Sequence, residues 1–408
     1  MDHMDRTDRT GKTKGISRAR FLAGAAAAGL AGAALTAGAA PAAAGGPVGG
    51  AGPEGAAAGR RPARTGLTRT GLTRRGVVYT VGAGETPATA WSAARMRADL
   101  RAIRDELHAD TVDVTGDGVE RLTATAAEAA ELGLHIWLQP TLGDVPERDI
   151  LEHLAETGRF AQRLRRQGAS VEFSVGCEFW LFVPGIIPGD TVFERIANLQ
   201  SGNVDPAAMQ RRLARFTAKA AALGRRVFHG RLSYASAPEI DQVDWDLFDV
   251  IGVDYYSFFP RRSDYVRELR KHLRHGKPLA ITEFGTCAYR GAPETAGMGW
   301  DIVDHDKTPE EIEDPIPVRS ERTQAAYLTD LLDVFESMNL YAAMVFEFLT
   351  ADAPHRPGDP RHDLDLASYG IAKAIQDRPG DPDSPWHREP KAAYHAVAGA
   401  YRGACQRQ

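Results

Sequence analysis

The chain has 408 residues, of which 43% are apolar and 25% charged, and this composition excludes an intrinsically disordered protein. The net charge of −5 is unevenly distributed. Residues 1–75 carry twelve Lys or Arg against four Asp or Glu, whereas residues 76–408 carry 37 against 50. An acidic body binds nucleic acid poorly because each phosphate contact needs a positive group. We therefore expect no nucleic-acid partner.

The first 44 residues have the pattern of an export signal. A basic stretch ends in residues 17–22, an Ala- and Gly-rich stretch follows, and small residues at 42–44 suit cleavage. Residues 17–22 resemble a twin-arginine signal in which Ala19 stands at the position of the second arginine. The alternative is a disordered Ala-rich tail. We expect a secreted protein with no membrane span in its mature form, since Ala and Gly partition weakly into lipid.

Two further segments follow the signal. Residues 45–75 are rich in Gly, Pro and Arg and are predicted to be a disordered linker. Residues 76–408 are predicted to be one folded domain. Three cysteines are too few for a disulfide scaffold, so the fold must depend on its hydrophobic core.

Strand and helix patterns alternate eight times in this domain. The predicted strands cover residues 77–81, 111–114, 134–139, 171–175, 226–230, 248–255, 278–282 and 341–346. Apolar residues between them recur with helical spacing, as in Met209, Leu213 and Phe216. This alternation predicts an α/β protein with a single (β/α)8 TIM barrel. A doubly wound open sheet is the alternative, but residues 82–85 lack the third Gly of a dinucleotide-binding turn.

Reactive side chains of a TIM barrel lie at the carboxyl ends of its strands. The candidates there are Asp113, Gln139, Cys177, Glu178, Trp180, His229, Arg231, Asp254, Tyr255, Tyr256, Glu283, Phe346 and Glu347. Glu178 and Glu283 follow strands 4 and 7. Glycoside cleavage needs such a pair, because one acid protonates the leaving oxygen while one carboxylate attacks or stabilises the sugar carbon. The aromatic rings of Trp180, Tyr255 and Tyr256 suit the apolar face of a sugar.

Several segments resemble the clan of retaining glycoside hydrolases with TIM barrels. Residues 281–285 (Ile-Thr-Glu-Phe-Gly) match its strand-7 nucleophile motif, and residues 248–256 resemble its strand-6 motif, whose Tyr contacts the nucleophile. Residues 367–371 and 386–391 resemble the segment that closes such barrels. The resemblance implies a carbohydrate or glycoside substrate, with Glu178 as acid/base and Glu283 as nucleophile.

Two positions differ from the clan. Cys177 stands where the clan has an Asn that binds the sugar 2-hydroxyl, and Phe346-Glu347 occupies the position of its strand-8 Trp. A thiol is a weak donor and cannot replace the amide. A second hypothesis is therefore a barrel that has lost hydrolysis and binds a glycan, or that performs another reaction on a sugar-like or secondary-metabolite ligand.

Other chemistries have weaker support. A metal hydrolase on this barrel would need a His-x-His on strand 1, and residues 77–79 contain no His. A Cys177 nucleophile would need a His at an adjacent strand end. We expect no cofactor and no metal, and the oligomeric state stays open.

Overall fold

The computed structural model describes residues 71–84, 89–381 and 383–406. The predicted export signal, residues 1–44, and most of the predicted linker lie outside these described residues.

Eight parallel strands close into a barrel, in the order β1-β10-β7-β6-β5-β4-β3-β2. The strands are β1 (Arg74–Val81), β2 (Thr111–Gly116), β3 (His135–Pro140), β4 (Val171–Cys177), β5 (Leu232–Ser236), β6 (Ile251–Asp254), β7 (Leu279–Phe284) and β10 (Ala342–Val345). β2, β3, β4 and β7 are buried along their whole length, as expected where helices cover the outside of a parallel barrel. The predicted TIM barrel is confirmed, and its first strand begins at Arg74 rather than at residue 77.

Helices connect the strands. They are α1 (Ala93–Asp105), α2 (Val119–Glu131), α3 (Glu147–Arg166), α4 (Phe179–Phe182), α5 (Val192–Gln200), α6 (Pro206–Val227), α7 (Arg262–Leu269), α8 (Glu321–Ser337) and α9 (Ala392–Gln406). α6 shows how the sequence encodes them. The Asp205 carboxylate accepts hydrogen bonds from the first backbone N–H groups of the helix, and Pro206 occupies its first turn. Met209, Leu213 and Phe216 are buried on one face, as their spacing predicts.

The predicted fifth strand, at residues 226–230, is wrong. α6 continues to Val227, and β5 begins only at Leu232. Arg225 and Arg226 lie in the last turn of α6, where positive side chains are favoured by the helix dipole. Gly224 lies in the preceding turn, and a Cβ there would come within 2.8 Å of the Val175 side chain, so the helix packs closely on β4.

Smaller sheets lie beyond β7 and β10. They comprise the hairpin of β8 (Val303–Asp304) and β9 (Glu311–Ile312), and the sheet of β11 (Leu349–Pro354), β12 (Ala372–Gln376) and β13 (Trp386–Pro390). The Arg361 guanidinium joins the two regions, because it lies 2.8 Å from an Asp314 carboxylate oxygen. Among the described helices, none has the length and apolar character that a membrane crossing requires.

Candidate active site

Glu178 follows the carboxyl end of β4 in a strained turn. Its φ of 36° and ψ of 56° are left-handed, a conformation that side chains other than Gly seldom adopt. Its backbone N–H donates to the Ala235 carbonyl at 2.9 Å, which ties the turn to β5. Gly176, just before it, has a φ of 148°, and a Cβ there would lie 2.4 Å from the Phe179 ring. Backbone strain of this kind is commonly found at functional sites.

A buried chain of hydrogen bonds holds the residue after Glu178. The Phe179 backbone N–H donates to the Tyr234 hydroxyl at 2.8 Å, and that hydroxyl donates to an Asp241 carboxylate oxygen at 2.9 Å. Tyr234 belongs to β5, so this neighbouring strand supports the turn at two points. The position of Glu178 is therefore determined by the barrel and not by a free loop.

Glu283 lies in β7 with a defined donor. The Tyr256 hydroxyl donates a hydrogen bond of 2.7 Å to its Oε2. Two residues later, Gly285 lets β7 and the segment after β10 approach closely, because a Cβ there would come within 2.2 Å of the Phe346 carbonyl. Of the two candidate tyrosines that follow β6, Tyr256 is therefore the one that contacts Glu283.

Cys177 and Asp254 share the space beside Glu283. The Cys177 Sγ lies 3.5 Å from Asp254 Oδ2 and 3.9 Å from Glu283 Oε1. The other Asp254 oxygen, Oδ1, accepts a hydrogen bond of 2.7 Å from Thr282. Burial raises the pKa of the Cys177 thiol, and the charges of Asp254 and Glu283 add to that effect. The thiol is therefore a weak donor to these two carboxylates.

The two glutamates differ in how their charge is stabilised. Burial raises the pKa of both carboxyls, and the Asp254 charge raises them further. The Tyr256 hydrogen bond opposes this shift at Glu283, whereas Glu178 Oε2 is buried without a hydrogen-bond partner in the described structure. The Tyr256 hydroxyl thus favours the ionised form of Glu283, whereas Glu178 Oε2 has no donor of this kind in the described structure.

Asp113 and Gln139 lie in the adjacent strands β2 and β3. Both Asp113 carboxylate oxygens are buried and have no hydrogen-bond partner in the described structure. Burial raises the pKa of Asp113, and the Asp254 charge raises it further. Gln139 Nε2 donates to Thr115 at 3.3 Å, while its Oε1 has no partner. Besides Glu178, Asp254 and Glu283, the site thus gains a fourth carboxyl, which has no hydrogen-bond partner in the described structure.

Glu347 follows β10 and is held by two threonines. The Thr80 and Thr350 hydroxyls each donate to one of its oxygens at 2.6 Å. Burial raises the pKa of Glu347 to about 7, although these two hydrogen bonds lower it. Its charge also raises the pKa of Glu283. A recess beside Glu347 is lined by Trp91 and by both threonines.

An aromatic group lies beside the Tyr256–Glu283 pair. The Tyr256 ring packs edge-on against Phe346, with ring centroids 6.4 Å apart, and against Tyr369 at 5.6 Å. Trp180, in α4, is fully buried in the core rather than exposed as a surface for a sugar. The predicted Phe346 thus contacts Tyr256, and the Trp180 ring shows no such contact in the described structure.

Three of the predicted residues lie outside this cluster. Tyr255 faces outward, and its hydroxyl donates to Glu268 at 2.8 Å. His229 and Arg231 precede β5 instead of following it, so they lie at the amino end of the barrel. Arg231 there contacts Glu172, near the start of β4. Their assignment to the carboxyl ends was wrong because the fifth strand was placed too early in the chain.

Two loops meet above the barrel. Phe193, in α5 after β4, packs against Trp300 and His305 in the insertion after β7, with centroids 6.3 Å and 5.6 Å apart. The exposed fractions of Glu178 and Glu283 are only 1% and 2%. A ligand that reaches these carboxyls must therefore displace groups that cover them.

A separate cluster of potential metal ligands lies in the segment before β12, and positive side chains already balance its negative charges. His355, Asp363 and Asp365 lie close enough to share an ion. Asp363 and Asp365 bind the Arg319 guanidinium at 3.1 Å and 2.6 Å, and Lys391 lies 2.8 Å from Asp365. These ion pairs stabilise the segment before β12 and leave no charge for a metal to balance.

Sequence reasoning missed four residues that contact the site: Thr80, Thr282, Thr350 and Tyr369. Thr282 stands directly before Glu283. Because side chains alternate along a strand, the sequence could have shown that Thr282 and Glu283 point in different directions from β7. Tyr369 lies in a segment that resembles the end of such barrels. Thr80 and Thr350 had no sequence signal, because their role depends on the position of Glu347.

Comparisons with known proteins support the fold. A family GH113 β-1,4-mannanase superposes with a TM-score of 0.54 and 14% identity, covering 81% of this chain and 99% of the mannanase. A GH113 β-mannanase from Alicyclobacillus acidocaldarius has a TM-score of 0.50 and 16% identity, covering 82% and 98%. β-Glucuronidase 2 of Bacteroides uniformis gives 0.51 and 13%, covering 81% of this chain and 35% of its own. No family model and no curated protein matches the sequence. This chain therefore shares the barrel fold of these glycoside hydrolases.

Proposed function

We propose that this protein is a retaining glycoside hydrolase or transglycosidase, with Glu178 as general acid/base and Glu283 as nucleophile. The observation that carries the proposal is the unequal pair: Glu178 Oε2 is buried without a hydrogen-bond partner in the described structure, whereas Glu283 accepts a hydrogen bond from Tyr256. Glu178 follows β4, and Glu283 lies near the end of β7. Both residues are thus at the carboxyl end of the barrel, where TIM-barrel enzymes hold their active sites.

The reaction proceeds in two displacements. Glu283 attacks the anomeric carbon, the glycosidic C–O bond breaks, and Glu178 transfers its proton to the leaving oxygen. Glu178, now ionised, takes a proton from water or from an acceptor alcohol as that oxygen attacks the same carbon. The bond to Glu283 breaks and its carboxylate is restored. This route requires the two carboxyl groups to lie about 5–5.5 Å apart when a sugar is bound.

The site favours an uncharged sugar. The largest charge effects on Glu178 and Glu283 come from other acidic groups, with Asp254 the strongest at both. A uronate carboxylate would be repelled by this cluster. We therefore propose a neutral glycoside, and an aryl β-mannoside and an aryl β-glucuronide are informative substrates because the similar structures include both enzyme types. Cleavage of the mannoside alone is the expected result.

Two variants test the roles of the glutamates. Glu178→Gln should abolish cleavage of glycosides with poor leaving groups while retaining much of the activity on activated aryl glycosides, because the acid is needed only for a poor leaving group. Glu283→Ala should lose activity by about 10³-fold or more. External azide should restore part of it and give the glycosyl azide of inverted configuration.

Glu172→Gln is the matched control, since Glu172 is buried in the same strand as Cys177 but at the opposite end of the barrel. We expect it to keep the wild-type kcat. If wild type and Glu283→Ala bind a glycan equally well and neither cleaves any glycoside, the alternative of a glycan-binding barrel replaces the enzyme.

We also propose that the protein is exported. The basic leader, the Ala-rich stretch and the small residues at 42–44 support this proposal. Protein recovered from the culture medium should begin after residue 44 when its N-terminus is sequenced. Recovery of only the full-length chain from the cells would contradict it.

A further inference from the structure

Three buried ligand atoms converge beside the nucleophile. The Cys177 sulfur, an Asp254 oxygen and a Glu283 oxygen all lie within 4.8 Å of one another. The sulfur is 3.5 Å from Asp254 Oδ2 and 3.9 Å from Glu283 Oε1. One thiol and two carboxylates on three different strands, β4, β6 and β7, thus face a common point.

These separations match the edges of a zinc tetrahedron. Zinc binds sulfur at about 2.3 Å and carboxylate oxygen at about 2.0–2.2 Å, so two such ligands at a tetrahedral angle lie about 3.5 Å apart. The observed sulfur–oxygen distances of 3.5 and 3.9 Å need little change to accept an ion. The fourth position would be left for water.

The oxygens are also oriented for this role. Thr282 donates to Asp254 Oδ1, and Tyr256 donates to Glu283 Oε2. In each carboxylate, one oxygen is therefore held by a hydroxyl while the other faces the Cys177 sulfur. Metal ligands are commonly fixed by such outer hydrogen bonds.

A second observation points to a cation at this place. Asp113 is fully buried, neither of its oxygens has a hydrogen-bond partner in the described structure, and its charge interacts with those of Asp254 and Glu283. Glu178 Oε2 is likewise buried and unpartnered. Asp113 and Glu178 thus add two buried carboxyls to those of Asp254 and Glu283, and a bound cation would offset the repulsion among them.

We propose that Cys177, Asp254 and Glu283 form a binding site for a thiophilic divalent cation such as Zn²⁺, and that occupancy of this site blocks the nucleophile. Coordination forms a metal–sulfur bond, breaks the S–H bond and releases that proton to solvent, with no change of oxidation state. Mg²⁺ and Ca²⁺ fit less well because they prefer six or more oxygen ligands. The blocking effect rests on the proposed function, whereas the binding does not.

Cobalt and zinc binding to the full chain test the site directly. The metal-free protein is titrated with Co²⁺, whose bond to a thiolate gives an absorption band, and then with Zn²⁺, which should displace it. We expect one equivalent of each to bind. Cys177→Ser should lose the band and weaken Zn²⁺ binding by about 100-fold, because a hydroxyl is a poor zinc ligand.

Cys287→Ser is the matched control, since Cys287 is the other buried free cysteine of the described structure. It should keep the cobalt band and the wild-type zinc affinity. If Cys177→Ser does not fold, as judged by circular dichroism, Cys177→Ala takes its place. Wild-type protein that binds no zinc, or a folded Cys177 variant that binds it as tightly as wild type, overturns the proposal.

Activity measurements separate this proposal from the proposed function. Zinc should inhibit aryl glycoside cleavage by the wild type, and a chelator should reverse the inhibition. Zinc binding without cleavage of any glycoside would contradict the enzyme but leave the metal site intact. Cleavage that zinc does not inhibit, together with no cobalt band, would contradict the metal site and leave the enzyme intact.

Discussion

At the residue scale, Tyr256 controls the charge of the proposed nucleophile. Its hydroxyl donates to Glu283 at 2.7 Å in a site that otherwise raises the pKa of that carboxyl through burial and neighbouring acids. A hydrogen bond to a charged group contributes about 1.5–3 kcal/mol. We expect Tyr256→Phe to lower kcat by about 10- to 100-fold without unfolding the protein, measured on an activated aryl glycoside.

Tyr255→Phe is the matched control for this experiment. It removes the adjacent hydroxyl, which points away from the site toward Glu268. Its kcat should equal that of the wild type. Equal losses in the two variants would contradict a specific role of Tyr256.

The residues of the site were predictable to different degrees. The strand ends and the motif at 281–285 predicted Glu178 and Glu283, because the carboxyl ends of parallel strands meet at one end of a barrel. Alternation could say that one of Tyr255 and Tyr256 points inward, but only the hydrogen bonds of the two hydroxyls, to Glu268 and Glu283, showed which. The contacts of Cys177 with Asp254 and Glu283 depend on side-chain directions across the barrel and leave no pattern in the sequence.

At the element scale, the fifth strand shows where pattern reasoning fails. Residues 226–230 contain Val and Phe and look like a strand, yet α6 continues to Val227 because its buried face and two terminal arginines favour the helix. The other seven strands overlap their predicted ranges. The error moved two polar residues, His229 and Arg231, from one end of the barrel to the other.

Arg231→Ala tests this correction. Arg231 interacts with Glu172 at 3.4 Å, and its side chain is 53% exposed, so the pair stabilises the fold by about 1 kcal/mol or less. We expect an unchanged kcat/KM and a slightly smaller free energy of unfolding in urea. A large loss of activity in a variant as stable as wild type would place Arg231 at the active site after all.

At the scale of the whole molecule, the two ends of the barrel differ in chemistry. The carboxyl end gathers Asp113, Asp254, Glu283 and Glu347, whose charges disfavour one another. The amino end gathers positive groups around the start of β3, where Arg74 and Arg231 act on the buried His135. Because stability and function are separated in this way in TIM barrels, variants at the amino end should alter stability and leave catalysis unchanged.

His135 makes the stability of the fold depend on pH. Burial, with the Arg74 and Arg231 charges, lowers its pKa from 6.5 to about 3, while its Nδ1 lies 2.7 Å from the Ser170 hydroxyl. The unfolded chain binds a proton at this residue below about pH 6.5, whereas the folded protein does not until about pH 3. Above pH 6.5, His135 is therefore neutral in both the folded and the unfolded state and does not affect stability. The free energy of unfolding decreases as the pH falls from 6.5 toward 3.

His135→Asn should remove this dependence, because Asn cannot be protonated in this range and its amide can replace the Nδ1 contact with Ser170. Between pH 7.5 and pH 5, the wild type should lose about 2 kcal/mol more unfolding free energy than the variant, measured by urea denaturation at each pH. Comparing each protein with itself cancels any constant cost of the substitution and the titration of the carboxyls that both proteins share. Equal losses in the two proteins would show that His135 is protonated in the folded barrel.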